Sequence, residues 1–254
     1  MAASAYWYAE ANNFGDLLAP LLLKHFSLIE TDWAPPESAE IVCAGSVLDV
    51  VPDGWEGTVL GSGMLHGRPR DLSRATVLGL RGPLTAKACK TGHNGFVLGD
   101  PGLLASELVT TRPIYELGLV PHWTDTELFA REDARSIRDH YARPRLIDPT
   151  RPLMEVISEI GSCRKIISSS LHGIIVADSF GIPRRAERFP HMDDPHHSKH
   201  EGSDFKFDDY SSSIEMPIEW GKLQEADSNK VQRIMYELFD VFQDLAGLYG
   251  EEAA

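Results

Sequence analysis

The sequence has few cysteines and no long hydrophobic run. Its three cysteines, Cys43, Cys89 and Cys163, lie far apart and follow no metal-ligand spacing. Dispersed cysteines in odd number are typical of free thiols in a reducing compartment. No apolar run approaches the roughly 18 residues that a membrane-spanning helix needs, and residues 1–10 lack the basic start and apolar core of a signal peptide. The sequence therefore predicts a cytoplasmic protein without an integral membrane segment.

Positive charge is also scarce. The chain of 254 residues has 24 Lys and Arg against 38 Asp and Glu, a formal net charge of -14. This balance argues against a general binder of nucleic acid or of anionic membranes. An anionic substrate would have to meet a local basic cluster. The 43% hydrophobic content is enough to bury a proper core, and we find neither a repeated motif nor a low-complexity tract.

Short buried strands alternate with helices along the chain, in two blocks that divide near residues 108–118. This alternation predicts an α/β protein with parallel sheets, built from two facing Rossmann-like domains. We predict a first domain over residues 1–112, a second over 113–228 and a C-terminal amphipathic helix over 229–254, with Val231, Ile234, Leu238, Val241 and Leu245 on its apolar face.

The clearest local signal is a strand, a serine turn and a helix over residues 164–183. A β-branched run ends at Ser168, and we expect a following serine to cap a helix running from about Leu171 to Phe180, which Gly181 ends. A helix start at the carboxyl end of a parallel strand offers free amides and a positive dipole to an anion. Ser169, Ser170 and Leu171 are therefore candidate binding residues. His172, in the first helical turn, is the candidate proton donor.

Other polar residues stand at similar strand-to-helix turns. Near the start of the chain, Asn12 or Asn13 could cap a helix over 17–26, Gly15 allows a close backbone approach, and Asp16 is a candidate base. The alternative is a plain capped turn. The remaining candidates are Arg81 as an anion ligand or a surface ion pair, Asp100 as a cleft carboxylate or a helix cap, and His122 as a ligand at a strand end.

Residues 190–204 are polar and aperiodic, and contain His191, His196, His197 and His200. Their spacing matches no defined His/Asp metal site. We expect a loop at this point and no metal site.

Several short motifs occur in an order that resembles the polysaccharide pyruvyl transferase family, and the similarity covers about residues 12–213. The most distinctive is the Ser-Leu-His-Gly helix start at 170–173. The similar motifs are Asn13-Phe14-Gly15-Asp16, Leu80-Arg81-Gly82-Pro83-Leu84-Thr85, Gly99-Asp100-Pro101, Pro121-His122-Trp123, Ser168-Ser169-Ser170-Leu171-His172-Gly173 and Phe205-Lys206-Phe207-Asp208-Asp209-Tyr210.

The resemblance implies an architecture like that of the two-domain GT-B glycosyltransferases. It also implies transfer of a pyruvyl group from phosphoenolpyruvate to two hydroxyls of a saccharide acceptor, giving a cyclic ketal on a polysaccharide precursor. Phosphoenolpyruvate would be the donor substrate, no further cofactor is implied, and a lipid-linked acceptor, peripheral attachment at the inner face of the membrane and a homo-oligomer are all compatible with it.

One position departs from the family pattern. Family members often have arginine before Leu-His in the helix-start motif, and that arginine helps to hold the donor. Ser170 stands there in this chain, so another basic residue would have to supply the charge, with Arg81 or the Arg184–Arg188 cluster as candidates.

The required chemistry assigns roles to the remaining candidates. Phosphoenolpyruvate needs a general acid, an anion cradle and a base for the hydroxyl protons. We expect His172 as the acid, the amides after Ser169 and Ser170 with Arg81 as the cradle, and Asp16 or Asp100 as the base. Two alternatives stay open from the sequence: a glycosyltransferase with a nucleotide-sugar donor, and a non-catalytic sugar-binding relative.

Overall fold

The computed structural model describes residues 2–126, 143–188 and 203–250. The helix predicted to begin at Glu127 and the histidine-rich segment 191–200 lie outside these ranges. The last residues of the predicted C-terminal helix, 251–254, also lie outside them.

The first half of the chain forms a five-stranded, wholly parallel sheet in the order β2-β1-β3-β4-β6, with two small parallel pairs, β5–β8 and β7–β9, beside it. The strands are β1 (Ala3–Tyr6), β2 (Thr31–Trp33), β3 (Ile41–Cys43), β4 (Thr58–Leu60), β5 (Arg70–Leu72), β6 (Thr76–Val77), β7 (Gly79–Leu80), β8 (Cys89–Thr91) and β9 (Val97–Leu98). The central strands β3 and β4 are buried throughout, as expected where helices cover both faces of a parallel sheet.

The second half forms a four-stranded parallel sheet in the order β11-β10-β12-β13. Its strands are β10 (Gly118–Val120), β11 (Arg145–Leu146), β12 (Ile166–Ser168) and β13 (Arg184–Ala186). The described helices of the whole chain are α1 (Phe14–Ser27), α2 (Pro83–Ala88), α3 (Leu153–Gly161), α4 (Leu171–Ser179), α5 (Ser203–Ser213) and α6 (Ser228–Gly250), with 3₁₀-helices over Pro101–Leu108 and Trp123–Asp125.

The predicted parallel α/β class is confirmed, while several element boundaries move. The first strand runs over Ala3–Tyr6. Helix α1 begins at Phe14 rather than Leu17, so Pro20 lies inside the helix and not in its first turn. The domain boundaries given from the sequence stay predictions. Within the described residues, no helix is both long enough and apolar enough to cross a membrane.

Helix α6 confirms its predicted apolar face. Its five predicted core positions are all buried, and the helix packs across α1, where the Ser27 hydroxyl donates to the Phe242 carbonyl at 2.7 Å. Because α1 belongs to the first half of the chain, the C-terminal helix returns to cover the N-terminal sheet.

Helix α5 joins the two halves through consecutive residues. The Asp209 carboxylate receives the Arg81 Nε at 3.0 Å and the Thr85 hydroxyl at 2.6 Å, both from the first half. The next residue, Tyr210, donates its hydroxyl to Asp178 at 2.9 Å, and Asp178 is ion-paired to Arg184 in the second half. The charged groups of both ion pairs are fully buried. The two buried polar networks therefore fix α5 against both sheets.

We predict that Asp209→Ala destabilises the protein strongly. Removing one partner of a buried ion pair leaves the other charge unpaired, here the guanidinium of Arg81, and such changes cost about 3–5 kcal/mol. Urea unfolding followed by circular dichroism measures the loss. Asp208→Ala is the matched control, because the neighbouring Asp208 side chain is exposed. Equal urea midpoints for the two variants would contradict the role of Asp209 in fixing α5 against the first half of the chain.

Candidate active site

The start of helix α4 is built differently from the capped turn that the sequence predicts. Ser170 occupies the N-cap position, but its side chain makes no capping hydrogen bond to the described residues. Instead the Ser168 hydroxyl accepts from the Ser170 amide at 2.9 Å, and the Ser169 amide donates to the Val120 carbonyl. The predicted anion cradle included the Ser170 amide. That part of the prediction is wrong, because this amide already donates to the Ser168 hydroxyl. The first-turn amides from Leu171 onward remain, because a helix offers them no internal partner.

The start of helix α1 meets the start of α4 at Gly15. A Cβ atom at this position would lie 2.2 Å from His172 Nδ1 and 2.6 Å from His172 Cγ, far inside contact distance. The predicted close backbone approach is thus confirmed, and it is made to His172. The Phe14 ring completes the contact in a T-shaped arrangement with the imidazole, at a centroid distance of 6.4 Å.

His172 also faces a buried carboxylate. Its Nε2 lies 3.9 Å from Asp100 Oδ2, and neither atom has a hydrogen-bond partner among the described residues. The other oxygen, Asp100 Oδ1, accepts from the Gly102 amide at 2.8 Å. Asp100 therefore caps the 3₁₀-helix with one oxygen and turns the other towards His172. The helix-cap interpretation is confirmed, whereas the fully buried Asp100 does not line the cavity, and its role as a cleft carboxylate stays a prediction.

Asp16 is held by a neighbour in its own turn. The Asn13 amide nitrogen donates to Asp16 Oδ2 at 2.7 Å, and the Asn13 side chain makes no capping hydrogen bond within the described residues. Asn12 donates to the Thr150 carbonyl instead. The predicted asparagine cap is wrong, because the side chains of Asn12 and Asn13 are engaged elsewhere.

Lys206 of helix α5 is the site residue that the sequence analysis missed as a functional group. It lines the same cavity as Asp16 and His172. Burial and the nearby Arg81 lower its pKa to about 8, while the Asp16 carboxylate opposes that shift. The sequence does contain a signal for it, because Lys206 lies in the Phe205–Tyr210 segment, which is similar to the family's motif. Lys206 lies one turn before Asp209 on α5, so the hydrogen bonds from Arg81 and Thr85 to Asp209 also orient the lysine.

The charges around His172 hold its imidazole neutral. Burial, with the charges of Arg81 and Lys206, lowers the pKa of His172 to about 3. Burial raises the pKa of Asp16 to about 6 against the effects of Asn13 and Lys206. Burial likewise raises the pKa of Asp100 to about 6, opposed by Arg81 and the Gly102 amide. At neutral pH this site therefore holds a protonated lysine, ionised carboxylates and an uncharged histidine.

Arg81 is not a surface ion pair, and it does not line the cavity. It is fully buried, with Asp209, the Ser46 hydroxyl and the Met64 carbonyl as partners. In this structure it acts on the site through its charge. Direct contact between Arg81 and a substrate stays a prediction.

The arginines near β13 are also committed elsewhere. Arg184 pairs with Asp178, Arg185 with Glu187 and Arg188 with Asp204. Their guanidinium groups do not line the cavity that contains His172. Lys206 is thus better placed than this cluster to supply the charge absent at Ser170.

One cavity of about 510 Å³ collects most of the candidate residues from both halves. Of the residues proposed from the sequence, it is lined by Asn13, Asp16, His122, Ser170, Leu171 and His172. Ser169 lies behind the wall, where its hydroxyl accepts from the His122 amide at 2.8 Å and positions that residue. The fold therefore gathers side chains of opposite charge, a neutral histidine and a free helix start around one space.

Comparison with known proteins finds similar sequences. Residues 70–186 match the family model described as polysaccharide pyruvyl transferase. The chain is 30% identical over 220 residues to the succinoglycan biosynthesis protein ExoV of Rhizobium meliloti (strain 1021), covering 82% of this chain and 64% of the relative. It is 36% identical over 131 residues to an uncharacterized protein of Acanthamoeba polyphaga mimivirus, covering 50% of this chain and 42% of the relative. The chain thus spans less than two thirds of either relative.

We predict that Gly15→Ala displaces the His172 ring. The added methyl group cannot fit 2.2 Å from Nδ1, and overpacking of this kind costs about 1–3 kcal/mol. Urea unfolding gives the loss of stability, and the histidine resonances in a ¹H–¹⁵N spectrum report the ring movement. Gly247→Ala in helix α6 is the control, because a Cβ there meets nothing within 4 Å. Unchanged His172 resonances in Gly15→Ala would contradict the close approach.

The lowered pKa of His172 predicts a pH-dependent effect of replacing it. Between about pH 3 and 6.5 the unfolded chain binds a proton at this histidine that the folded chain does not. Wild-type stability from this group is therefore complete above pH 6.5 and falls as the pH decreases. His172→Gln removes that penalty, so its stability relative to wild type should be greater at pH 5 than at pH 7.5.

Urea midpoints of both proteins at the two pH values test this prediction. The raised pKa values of Asp16 and Asp100 increase the stability of the folded chain as the pH decreases. Both carboxyl groups are present in wild type and in His172→Gln. His25→Gln, at an exposed position, controls for the loss of an imidazole. A difference between His172→Gln and wild type that is the same at both pH values would refute a neutral buried His172.

Proposed function

We propose that this chain, whose residues 70–186 match the polysaccharide pyruvyl transferase family model, belongs to that family and transfers a pyruvyl group from phosphoenolpyruvate to two hydroxyls of a saccharide. The observation that carries this proposal is the meeting of His172, Lys206 and the free helix start of α4 in one cavity of an acidic chain. A donor with both a phosphate and a carboxylate needs a cationic side chain and free amides where it binds, and Lys206 and the start of α4 supply them.

The anionic donor is proposed to bind at the start of α4. Amides from Leu171 onward and the positive end of the helix dipole favour an anion. Lys206 lines the same cavity and supplies a formal charge, and the buried Arg81 adds its potential although it does not line the cavity. Lys206 would thereby replace the family arginine whose position Ser170 occupies.

Donor binding also explains how a neutral histidine can act as an acid. Burial, and after it the charges of Arg81 and Lys206, lower the pKa of His172, and an anion placed beside the two cations cancels their part of that shift. Binding would therefore raise the pKa of His172 and draw a proton onto its ring. The acid is charged when the donor is present, and Asp100, 3.9 Å from Nε2, stabilises that imidazolium.

The reaction then balances with two hydroxyl protons. His172 protonates the methylene carbon of phosphoenolpyruvate, which leaves a cation-like carbon at the neighbouring position. The first sugar hydroxyl adds to that carbon and gives its proton to Asp16. Phosphate departs and takes up the proton that Asp16 received. The second hydroxyl adds to the same carbon, and its proton returns to His172. One proton ends on the new methyl group and the other on phosphate, so no cofactor besides the donor substrate is required.

The wider setting follows from the same proposal. We propose that the two parallel sheets face the cleft as in a GT-B glycosyltransferase, that the protein works in the cytoplasm, where phosphoenolpyruvate is produced, and that its acceptor is an exopolysaccharide precursor. The name of the ExoV relative supports that acceptor class. A lipid-linked acceptor at the inner membrane face and a homo-oligomer are compatible extensions.

The nucleotide-sugar alternative has a specific test. A glycosyltransferase would be stabilised thermally by UDP or GDP and not by phosphoenolpyruvate. The proposed function expects the opposite pattern. A non-catalytic relative would turn over neither kind of donor.

We predict that Lys206→Met and His172→Ala separate donor binding from chemistry. Lys206→Met should weaken phosphoenolpyruvate binding about tenfold or more, because charge-assisted hydrogen bonds contribute about 1.5–3 kcal/mol. His172→Ala should keep most of the affinity while phosphate release with a saccharide acceptor falls at least a hundredfold. Titration calorimetry measures the first quantity and a phosphate assay the second.

The matched control for the lysine is Lys222→Met, at an exposed position. Calorimetry in buffers of different ionisation enthalpy should show proton uptake by wild type on binding and much less by His172→Ala. Wild-type rates of phosphate release in His172→Ala would refute the proposed acid. Affinity unchanged in Lys206→Met would refute the donor site.

A further inference from the structure

Aromatic side chains from both halves of the chain line the same cavity. Tyr6 and Tyr8 come from the end of β1 and the residues after it, and Trp123 begins the 3₁₀-helix after β10. The rings of Tyr8 and Trp123 are 6.4 Å apart, and those of His122 and Trp123 are 5.6 Å apart. All are half-buried, so each keeps part of a ring open to the cavity. These rings form a wall that the proposed proton transfers do not use.

This wall lies beside the proposed base. Burial raises the pKa of both Tyr6 and Tyr8, and the Asp16 carboxylate raises it further because it is near both hydroxyls. Asp49 lines the same cavity, where its Oδ2 accepts from the His66 amide at 3.2 Å. Its Oδ1 has no partner among the described residues. Aromatic faces and hydrogen-bond-accepting carboxylates therefore occur together.

We infer that Tyr8 and Trp123 form the platform on which the saccharide acceptor stacks, one ring supplied by each half of the chain. A pyranose has an apolar face of C–H groups and a rim of hydroxyls. Aromatic rings bury the apolar face, while carboxylates receive the hydroxyl hydrogens. On this platform the rim of the sugar lies towards Asp16, where a hydroxyl must lose its proton. The inference rests on the proposed function for the identity of the reaction, but sugar binding is measurable without it.

Charge distinguishes this wall from the donor region. Lys206 and the helix start attract anions, whereas Tyr8 and Trp123 are uncharged and Asp16 and Asp49 repel a phosphate. A neutral polyol is the ligand class that suits aromatic rings next to carboxylates. A nucleotide base could also stack on the rings, and the test therefore includes one.

Saturation-transfer-difference NMR tests the platform with methyl β-D-galactopyranoside and methyl β-D-glucopyranoside, and with UDP in a separate sample. We expect transfer to at least one sugar with wild-type protein, and at least a fivefold smaller signal with Trp123→Ala or Tyr8→Ala. Trp123→Phe, which keeps a stacking face, should recover much of it. Tyr236→Ala is the control, because this residue lies outside the cavity lining and is 71% exposed.

Calorimetry with phosphoenolpyruvate on the same samples separates the two proposals. Loss of sugar signal with unchanged donor affinity in Trp123→Ala supports the platform, and thermal melts confirm that each variant is folded. No transfer to either sugar from wild type, or equal transfer from Trp123→Ala and wild type, would overturn it. Stronger transfer to UDP than to the sugars would also overturn it, in favour of a nucleotide. Failure of wild type to bind phosphoenolpyruvate would instead refute the proposed function.

Discussion

The structure depends on two buried ion pairs that helix α5 reaches through consecutive residues. Asp209 binds Arg81 of the first half, and Tyr210 binds Asp178, which is paired to Arg184 of the second half. Buried charges are tolerated when paired and hydrogen-bonded, and are very costly when a partner is missing. Any movement of α5 would break both networks together. The helix is thereby fixed in one position, and Lys206, one turn before Asp209, is fixed with it.

The same constraint sets the electrostatics of the site. Arg81 is neutralised by Asp209, yet its potential still contributes to the low pKa of His172 and opposes the rise at Asp100. Lys206 also lowers the pKa of His172. It lowers the pKa of Asp16 as well, against the larger effect of burial. An anion that binds beside Arg81 and Lys206 relieves their repulsion of a protonated His172, while Asp16 in the same cavity carries charge of the opposite sign to Lys206. Arg81 therefore takes part both in the buried ion pair that holds α5 and in the electrostatics of the proposed donor site.

Several features could be predicted from local sequence. Strand β12, the helix start at Leu171 and the apolar face of α6 follow from β-branched runs, small turn residues and helical spacing, all of which act over a few neighbours. The asparagine and serine caps failed for a physical reason. Asn13 donates to Asp16, Ser169 accepts from the His122 amide, and Ser170 makes no capping bond to the described residues. A propensity for capping cannot say which of several nearby donors and acceptors a side chain will bind.

The sequence by itself determined the parallel α/β class, the family resemblance and the identity of His172 at a helix start, because these depend on patterns that are continuous along the chain. Tertiary structure alone decided that Gly15 touches His172, that Arg81 is buried behind the cavity and that Lys206 completes the site. Those contacts join residues separated by 30 to more than 150 positions, and their energies depend on burial that only the folded chain creates.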